Sequence, residues 1–283
     1  MTSSSSSKRS DPRISWLTSA SSLLAPAGTP EKLATALHFG ADAVYLGLKT
    51  FSLRAYAGNF TLEQLDAACR TAHALERRVY VALNLQPFDE DLEQLPATLK
   101  ALAEIKPDAL IVADPGVLAL CAEHAPDLEL HLSTQASVTN AGAARFWSRH
   151  GRVARIIAAR EMSLAQLGAM VQAAAPCQFE AFAHGAVCIA YSGRCMLSTY
   201  WAGDKRDARS GSCAAACRFP YRFIEDRRRP GEPNPVEEDE RGTYFFDARD
   251  LCTLPILKEL VDTGVLALKL EGRTRSALYL GVT

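Results

Sequence analysis

The chain has 283 residues, 48% of them hydrophobic, so it is long enough to bury the core of one large α/β domain. Its formal net charge of −1 excludes bulk electrostatic attraction to nucleic acid or membranes, so any RNA contact has to come from a local basic patch. No apolar run reaches the roughly 18 residues of a membrane span, and the start lacks a secretory signal, which together predict a cytoplasmic protein without a membrane partner.

The start of the chain differs in composition from the rest. Residues 1–20 form a serine-rich leader with few apolar residues to offset the entropy of ordering, so we predict a disordered tail there and one domain over 21–283. From residue 21, short apolar runs alternate with segments of helical periodicity such as 29–40, 61–76 and 163–175. The strand candidates, in chain order, are SLLAPAG (22–28), AVYLGL (43–48), VYVALN (79–84), ALIVAD (109–114), LELHLSTQ (128–135), ARIIAA (154–159) and FEAFAHG (179–185).

The alternation predicts the fold. The chain has seven such units, and two further strand candidates follow at 243–251 and 266–272. This pattern favours an α/β fold, a (β/α)8 TIM-like barrel, in which one of the two late candidates lies outside the barrel. No G-x-G-x-x-G follows the first strand, which argues against a dinucleotide-binding half. The alternation stops over about 186–243, which predicts a cysteine-rich insertion after the seventh strand, on the catalytic face of the barrel.

The eight cysteines indicate metal binding or catalysis rather than disulfides, because the cytosol keeps thiols reduced. Three of them, Cys69, Cys121 and Cys177, lie within helical or strand patterns, and we predict that they are buried. The other five are separated by six, seventeen, three and thirty-four residues: Cys188, Cys195, Cys213, Cys217 and Cys252. The gap of three residues between Cys213 and Cys217 has the short spacing of a structural zinc site, whereas iron–sulfur clusters tolerate wider ligand spacing. Spacing alone favours iron–sulfur slightly and leaves zinc and unligated buried thiols open.

Polar residues at the predicted strand ends are candidates for catalysis, because a barrel places its chemistry at the C-terminal rim. They are Asn84, Asp114, Gln135, Glu161, His184, Asp250 and Glu271. For each of them, a hydrogen-bonded structural role is the simpler alternative. The catalytic candidates that we retain are Glu180, His184, Asp250 and Glu271, and the sequence assigns none of them a proton-transfer role.

The segment FEAFAHGAVCIAYSGRCMLS (179–198) matches a signature with a Glu, a Gly and two Cys seven apart before a Ser, and it resembles peptidase family U32. Three further segments resemble the same family: 23–48, SGSCAAACRFPYRF (210–223) and 247–279. The resemblance runs from about residue 21 to the end of the chain. It implies a barrel-like fold and, in hydroxylating members, a 4Fe-4S cluster held by four cysteines. Carried onto this chain, the ligands are Cys188, Cys195, Cys213 and Cys252, with Cys217 as the alternative fourth ligand.

The hydroxylating members of the family act without molecular oxygen on a wobble uridine of tRNA, a cytidine of large-subunit rRNA or the ubiquinone ring. This chain looks most like the tRNA-acting branch, which implies an enzyme that forms 5-hydroxyuridine in tRNA with prephenate as the hydroxyl donor. Basic and aromatic residues near the cysteines suit phosphates and unstacked bases, although a solvated loop that covers the cluster would look the same. Among them, Arg194 and Arg218 are the candidates for binding prephenate or phosphate.

Other functions stay open. The family description implies a collagenase-like peptidase, but the sequence has no G-x-S-x-G or H-E-x-x-H motif, and nothing marks any of its six His as the partner of a nucleophile. Quinone and rRNA hydroxylation remain alternatives to tRNA hydroxylation. Because tRNA-acting members continue with a further helix and a small C-terminal domain, we expect that domain to be absent here, and a non-catalytic cluster-binding scaffold is a further alternative. The sequence predicts no oligomeric state.

Overall fold

A computed structural model describes residues 21–52, 58–188, 190–191, 194–202, 213, 217, 237–239, 242–244 and 250–283. The predicted tail over 1–20 and most of the predicted insertion, including Arg218, lie outside these residues. Within the part of the chain that the structure describes, no helix is both long enough and apolar enough to cross a bilayer.

Parallel strands form a closed barrel. The described strands are β1 (Ser22–Pro26), β2 (Ala43–Gly47), β3 (Arg78–Leu83), β4 (Ala109–Val112), β5 (Glu129–Leu132), β6 (Arg155–Ile157), β7 (Gln178–Gly185), β8 (Glu237–Asp239), β9 (Gly242–Tyr244), β10 (Leu251–Cys252) and β11 (Ala267–Glu271). Strands β1 to β7 pair in sequence, β7 pairs with β11, and β11 pairs with β1, all of them in parallel. The predicted (β/α)8 barrel is therefore confirmed, and 266–272 supplies its eighth strand.

Helices follow the barrel strands and cover the outside of the barrel. They are α1 (Pro30–His38), α2 (Leu62–Ala74), α3 (Asp89–Ile105), α4 (Pro115–His124), α5 (Ala141–His150), α6 (Leu164–Ala173), α7 (Leu197–Ala202), α8 (Leu257–Asp262) and α9 (Ala277–Val282). Several begin at a side chain that accepts a hydrogen bond from the first helical turn, as Thr61 does for α2 and Ser163 for α6. Asp114, a predicted rim candidate, has this role for α4, since its Oδ1 accepts from the backbone N–H groups of Gly116 and Val117.

Two apolar layers result from the alternation of side chains along each strand. Outward-facing residues such as Val44, Val79 and Leu110 pack against the helices in the larger core. Inward-facing residues form a smaller cluster inside the barrel, which includes Tyr45 and Phe182. The barrel interior is thus filled with side chains, and it holds buried polar groups as well as this apolar cluster.

Strand β10 fixes one of the cysteines to the rim of the barrel. Cys252 pairs with His184 and Leu251 pairs with Gly185, antiparallel to the end of β7. Gly185 has φ +112°, and a Cβ there would lie 2.1 Å from the carbonyl oxygen of Glu271, so only glycine fits between β10 and β11. The candidate strand 243–251 contributes described residues to β9 and β10 and none to the barrel, as expected for one of the two late candidates.

Candidate functional site

The mouth of the barrel holds a pocket at the carboxyl ends of the strands, where parallel barrels place their chemistry. Three predicted rim residues, Asn84, Gln135 and Glu271, line it. Its remaining lining residues were not predicted, and the ones that carry charge are Arg160, Lys269 and Arg273.

The floor beneath this pocket is a buried ionic group. The Glu180 side chain is fully buried, and Lys269 Nζ lies 2.9 Å from its Oε1, while Arg155 Nη1 lies 3.9 Å from its Oε2. Burial lowers the pKa of Lys269, and the neighbouring Glu180 carboxylate opposes that shift. Lys269 and Arg155 share this one buried carboxylate, so Glu180 is placed as their partner and not as an exposed acid or base.

Aromatic rings pack against two of the cations at this site. Lys269 Nζ lies 4.2 Å from the centre of the Tyr45 ring, and the Arg160 guanidinium carbon lies 4.3 Å from the centre of the Phe182 ring. The hydroxyl of Tyr45 donates to the carbonyl of Leu270 at 3.0 Å, which holds that ring across the barrel. Each cation therefore packs against the negative face of a ring, which stabilises its charge where water is scarce.

Arg273 is fixed at the edge of the pocket. Its Nη1 donates to Ser52 Oγ at 2.9 Å, and Lys32 Nζ donates to its carbonyl oxygen at 3.0 Å. A Cβ at Gly47 would lie 2.2 Å from that Nη1 and 2.3 Å from Ser52 Oγ, so the glycine makes room for the pair.

The opposite wall of the pocket is polar and uncharged. Asn84 Nδ2 donates to Gln135 Oε1 at 3.1 Å and to Ser133 Oγ at 3.3 Å, and Ser133 Oγ also donates to Gln135. Among the described residues, the buried Oδ1 of Asn84 has no hydrogen-bond partner. These three side chains form one hydrogen-bonded unit that presents amide and hydroxyl groups to the mouth.

At the other end of the barrel, His131 is fully buried and its Nε2 lies 2.7 Å from Glu129 Oε1. Burial lowers the pKa of His131 despite the nearby carboxylate, so the contact is a hydrogen bond from a neutral imidazole. Its Nδ1 has no partner among the residues that the structure describes, and its ring packs edge-on against Tyr80 at 4.7 Å between centroids.

We expect acid to destabilise the protein through His131. As pH falls from about 7 to 5.5, this imidazole takes up a proton in the unfolded chain more readily than in the folded one, so the free energy of unfolding decreases by at most about 1.4 kcal/mol per pH unit. His131→Gln should flatten that dependence, as measured by urea unfolding across this pH range. The control is His38→Gln at an exposed site, which should keep the wild-type slope. An unchanged slope in the His131 variant would contradict the assignment.

The remaining catalytic candidates do not meet at one point. His184 packs its ring 5.8 Å from that of Tyr279, and Asp250 accepts from Arg275 Nη2 at 2.7 Å. Neither residue lines the pocket, and neither does Glu161. Of the four retained candidates, Glu271 lines the pocket and Glu180 lies beneath it.

The cysteines fall into the two predicted groups. Cys69, Cys121 and Cys177 are buried, which confirms the prediction, and burial raises the pKa of Cys69 and of Cys121 to about 12. The other five are exposed or half-buried, and none of the eight, all of them described, forms a disulfide: Cys188, Cys195, Cys213, Cys217 and Cys252. Among the described residues, no three His, Cys, Asp or Glu side chains are close enough together to hold a metal ion.

Sequence reasoning missed Arg155, Arg160, Lys269 and Arg273. A signal was present for two of them, since Lys269 stands in the middle of LALKLEG and Arg155 within ARIIAA. A charged residue inside an otherwise apolar strand of a parallel sheet has to be paired, and here the partner of both is Glu180 on the neighbouring strand β7. Arg160 and Arg273 follow their strands in loops, where no periodicity marks them.

The family model of peptidase family U32 matches residues 28–283. The chain belongs to this family. It is 37% identical over 91% of its length to tRNA hydroxylation protein P of Escherichia coli, and 42% identical over 92% to the protein of the same name in Helicobacter pylori. It spans 64% and 62% of the lengths of these two relatives. The solved structure of the U32 peptidase Mk0906, at 16% identity, has the same fold, with a TM-score of 0.56 over 89% of this chain and 93% of that one.

Proposed function

We propose that this chain is the barrel part of an iron–sulfur-dependent, oxygen-independent tRNA hydroxylase of the U32 family, which forms 5-hydroxyuridine at the wobble position with prephenate as the hydroxyl donor. The observation that carries the proposal is the identity of 37% and 42%, over more than nine-tenths of the chain, to relatives named tRNA hydroxylation protein P. In overall composition, the hydroxyl group passes from the donor to C5 of the base and the hydrogen of C5 passes to the donor, so that no molecular oxygen is consumed.

The donor chemistry of the cysteines fits an iron–sulfur cluster. Cys69, Cys121 and Cys177 are buried, and burial raises the pKa of each thiol. The four proposed ligands are exposed or half-buried, and they lie in sequence after the carboxyl end of β7: Cys188, Cys195, Cys213 and Cys252. Four thiolates are the usual ligand set of a 4Fe-4S cluster, which supplies one-electron chemistry when bound.

The surface beside the cysteines suits an unstacked nucleobase. Tyr191 and Tyr200 are exposed, as is Arg194 between them in sequence. Aromatic faces stack bases without regard to sequence, and a guanidinium binds the adjoining phosphate, as is usual in single-stranded RNA recognition. A tRNA anticodon loop is such a single-stranded target, and the net charge of −1 makes a local patch the only electrostatic route to it.

Mass spectrometry of digested tRNA tests the proposed function. Deletion of the gene should remove 5-hydroxyuridine and its derivatives from tRNA, and the full-length gene should restore them. A strain that carries an Arg152→Gln substitution, at the other end of the barrel from the pocket, should match wild type. Unchanged tRNA with an unhydroxylated quinone precursor would favour the quinone alternative, and a loss confined to rRNA the ribosomal one. If all three pools are unchanged and the purified, cluster-free protein cleaves denatured collagen, the peptidase alternative is correct.

A further inference from the structure

The outer wall of the barrel carries a local excess of positive charge on α5. Between residues 130 and 179 the sequence has five arginines and one carboxylate, Glu161, whereas the whole chain has a formal net charge of −1. Two of these arginines belong to the barrel interior and its mouth, since Arg155 is buried and Arg160 lines the pocket. Arg145 and Arg149 are exposed on α5, so their charge faces the solvent.

The two arginines of α5 have no carboxylate partner among the described residues. Arg145 Nη1 donates to the carbonyl oxygen of Ala173 at the end of α6, at 2.7 Å, and Arg149 makes no hydrogen bond or ion pair with any part of the chain that the structure describes. Helix α6, which packs beside α5, has no charged residue in its sequence. By contrast, the exposed Arg70 on α2 pairs with Asp66. The positive charge of α5 is therefore available to an anionic partner.

Two rings lie next to these arginines. Phe146 is 55% exposed, and the centre of its ring lies 5.0 Å from that of His150, one helical turn further on. Because residues four apart share a face of a helix, the two arginines and the two rings form adjacent rows along α5. Guanidinium groups beside exposed rings are typical of surfaces that bind RNA. We call this surface the α5 face, and its residues are Arg145, Phe146, Arg149 and His150.

The shape and position of the α5 face favour base-paired RNA over an unstacked base. The surface of a helix is convex, so it can contact phosphates and riboses but cannot enclose a base. Helix α5 begins at Ala141, shortly after the rim residue Gln135, and at 1.5 Å per residue Arg145 and Arg149 lie about 6 Å and about 12 Å from that start. An RNA duplex is recognised mainly through its phosphates and 2′-hydroxyls, which line its wide and shallow minor groove.

We propose that the α5 face binds the base-paired stem of an RNA whose single-stranded loop reaches the barrel mouth. That this RNA is a tRNA, with the anticodon loop at the mouth, rests on the proposed function. The arginines contact phosphates and the Phe146 ring packs against a ribose, so the contact does not depend on the sequence of the stem. Arg152, beyond the end of α5, is not included, because it lines a separate groove together with Asp127 and Glu129.

Fluorescence anisotropy tests the α5 face with the anaerobically purified full chain and a labelled RNA hairpin made of an anticodon stem and its loop. The double variant Arg145→Gln/Arg149→Gln should bind the hairpin roughly tenfold more weakly at about 0.1 M salt. Its plot of log affinity against log salt concentration should be less steep by about 1 to 2, since up to two phosphate contacts are lost. A labelled single strand with the loop sequence alone should bind the variant and the wild type equally.

The control is Arg70→Gln, which removes an exposed arginine from α2 and should leave hairpin binding unchanged. Arg149→Gln alone should weaken hairpin binding about threefold. This single variant keeps the test valid if the double variant does not fold, because Arg149 has no contact within the described residues that folding needs. Phe146→Ala should weaken hairpin binding and keep the wild-type salt slope, since it removes no charge. Circular dichroism checks the fold of each variant.

Four results would overturn the inference. They are no binding of the hairpin to the wild-type chain, unchanged binding in the Arg149 variant, an equal loss in Arg70→Gln, and an equal loss for the loop strand. Self-association that Phe146→Ala abolishes, with hairpin binding unchanged, would assign the α5 face to a second copy of the chain. If the hairpin binds as described and gene deletion leaves tRNA unchanged, the α5 face stands and the proposed function fails. If gene deletion removes 5-hydroxyuridine and the variants bind as wild type does, the α5 face alone fails.

Discussion

Replacing Glu180 by Gln should lower the free energy of unfolding by about 3–5 kcal/mol, although the two side chains have the same shape. The substitution leaves Lys269 and Arg155 in a dry interior without the carboxylate that both contact. Burial already lowers the pKa of Lys269, and removing the carboxylate that opposes this shift should lower it further. Chemical denaturation at pH 7 measures the loss, and the variant should also unfold at a lower temperature.

Two further variants separate charge from packing. Adding Lys269→Met to Glu180→Gln removes one of the unpaired cations, so the double variant should be more stable than Glu180→Gln alone. Asp66→Asn is the matched surface control, because its carboxylate pairs with Arg70 on the exposed face of α2 and should contribute less than about 1 kcal/mol. If Glu180→Gln and Asp66→Asn cost the same, the buried group does not have the structural role assigned to it.

Much of the fold could be predicted from sequence because local pattern and global architecture agree. Each barrel strand is a short apolar run, and several of the following helices have their own start signal, such as Thr61 or Ser163. A parallel strand that is buried on both faces needs no information from distant residues to be recognised. The same reasoning gave the rim position of Asn84, Gln135 and Glu271, since a residue that follows a strand lies at the carboxyl edge of the barrel.

The charged interior could not be predicted, because it depends on which strands become neighbours when the barrel closes. Glu180 and Lys269 are 89 residues apart in sequence, and they meet because β7 and β11 are neighbours in the closed barrel. The position of Arg273 depends on a glycine, Gly47, that leaves space for it on a different strand. Such pairings follow from the register and closure of the sheet, which no single segment encodes. For this reason Glu180 was predicted as a catalytic candidate, whereas in the structure it lies beneath the pocket and contacts Lys269 and Arg155.

The proposed function predicts that replacing Cys188 or Cys195 by Ala abolishes both bound iron and tRNA hydroxylation, since a 4Fe-4S cluster needs its thiolate ligands. Protein purified without oxygen should contain about four irons per chain and be brown. Cys69→Ala is the matched control, because this thiol lies on the buried face of α2 and burial raises its pKa to about 12. It should keep its iron and its colour. Stoichiometric zinc without iron in the wild-type protein would contradict the iron–sulfur assignment and favour a structural zinc site.

The family resemblance ranks Cys252 ahead of Cys217 as the fourth cluster ligand, and a pair of variants tests that ranking. We expect Cys252→Ala to lose iron and Cys217→Ala to retain it, because β10 holds Cys252 beside His184 at the end of the strand that leads to Cys188. That anchoring limits how far Cys252 can move, so it is available to a cluster bound at this rim without further ordering of the chain. Iron content and visible absorbance of the two variants, purified anaerobically in parallel, measure the difference. If iron is lost from the Cys217 variant alone, Cys252 is an exposed thiol on the barrel rim and the fourth ligand comes from the insertion.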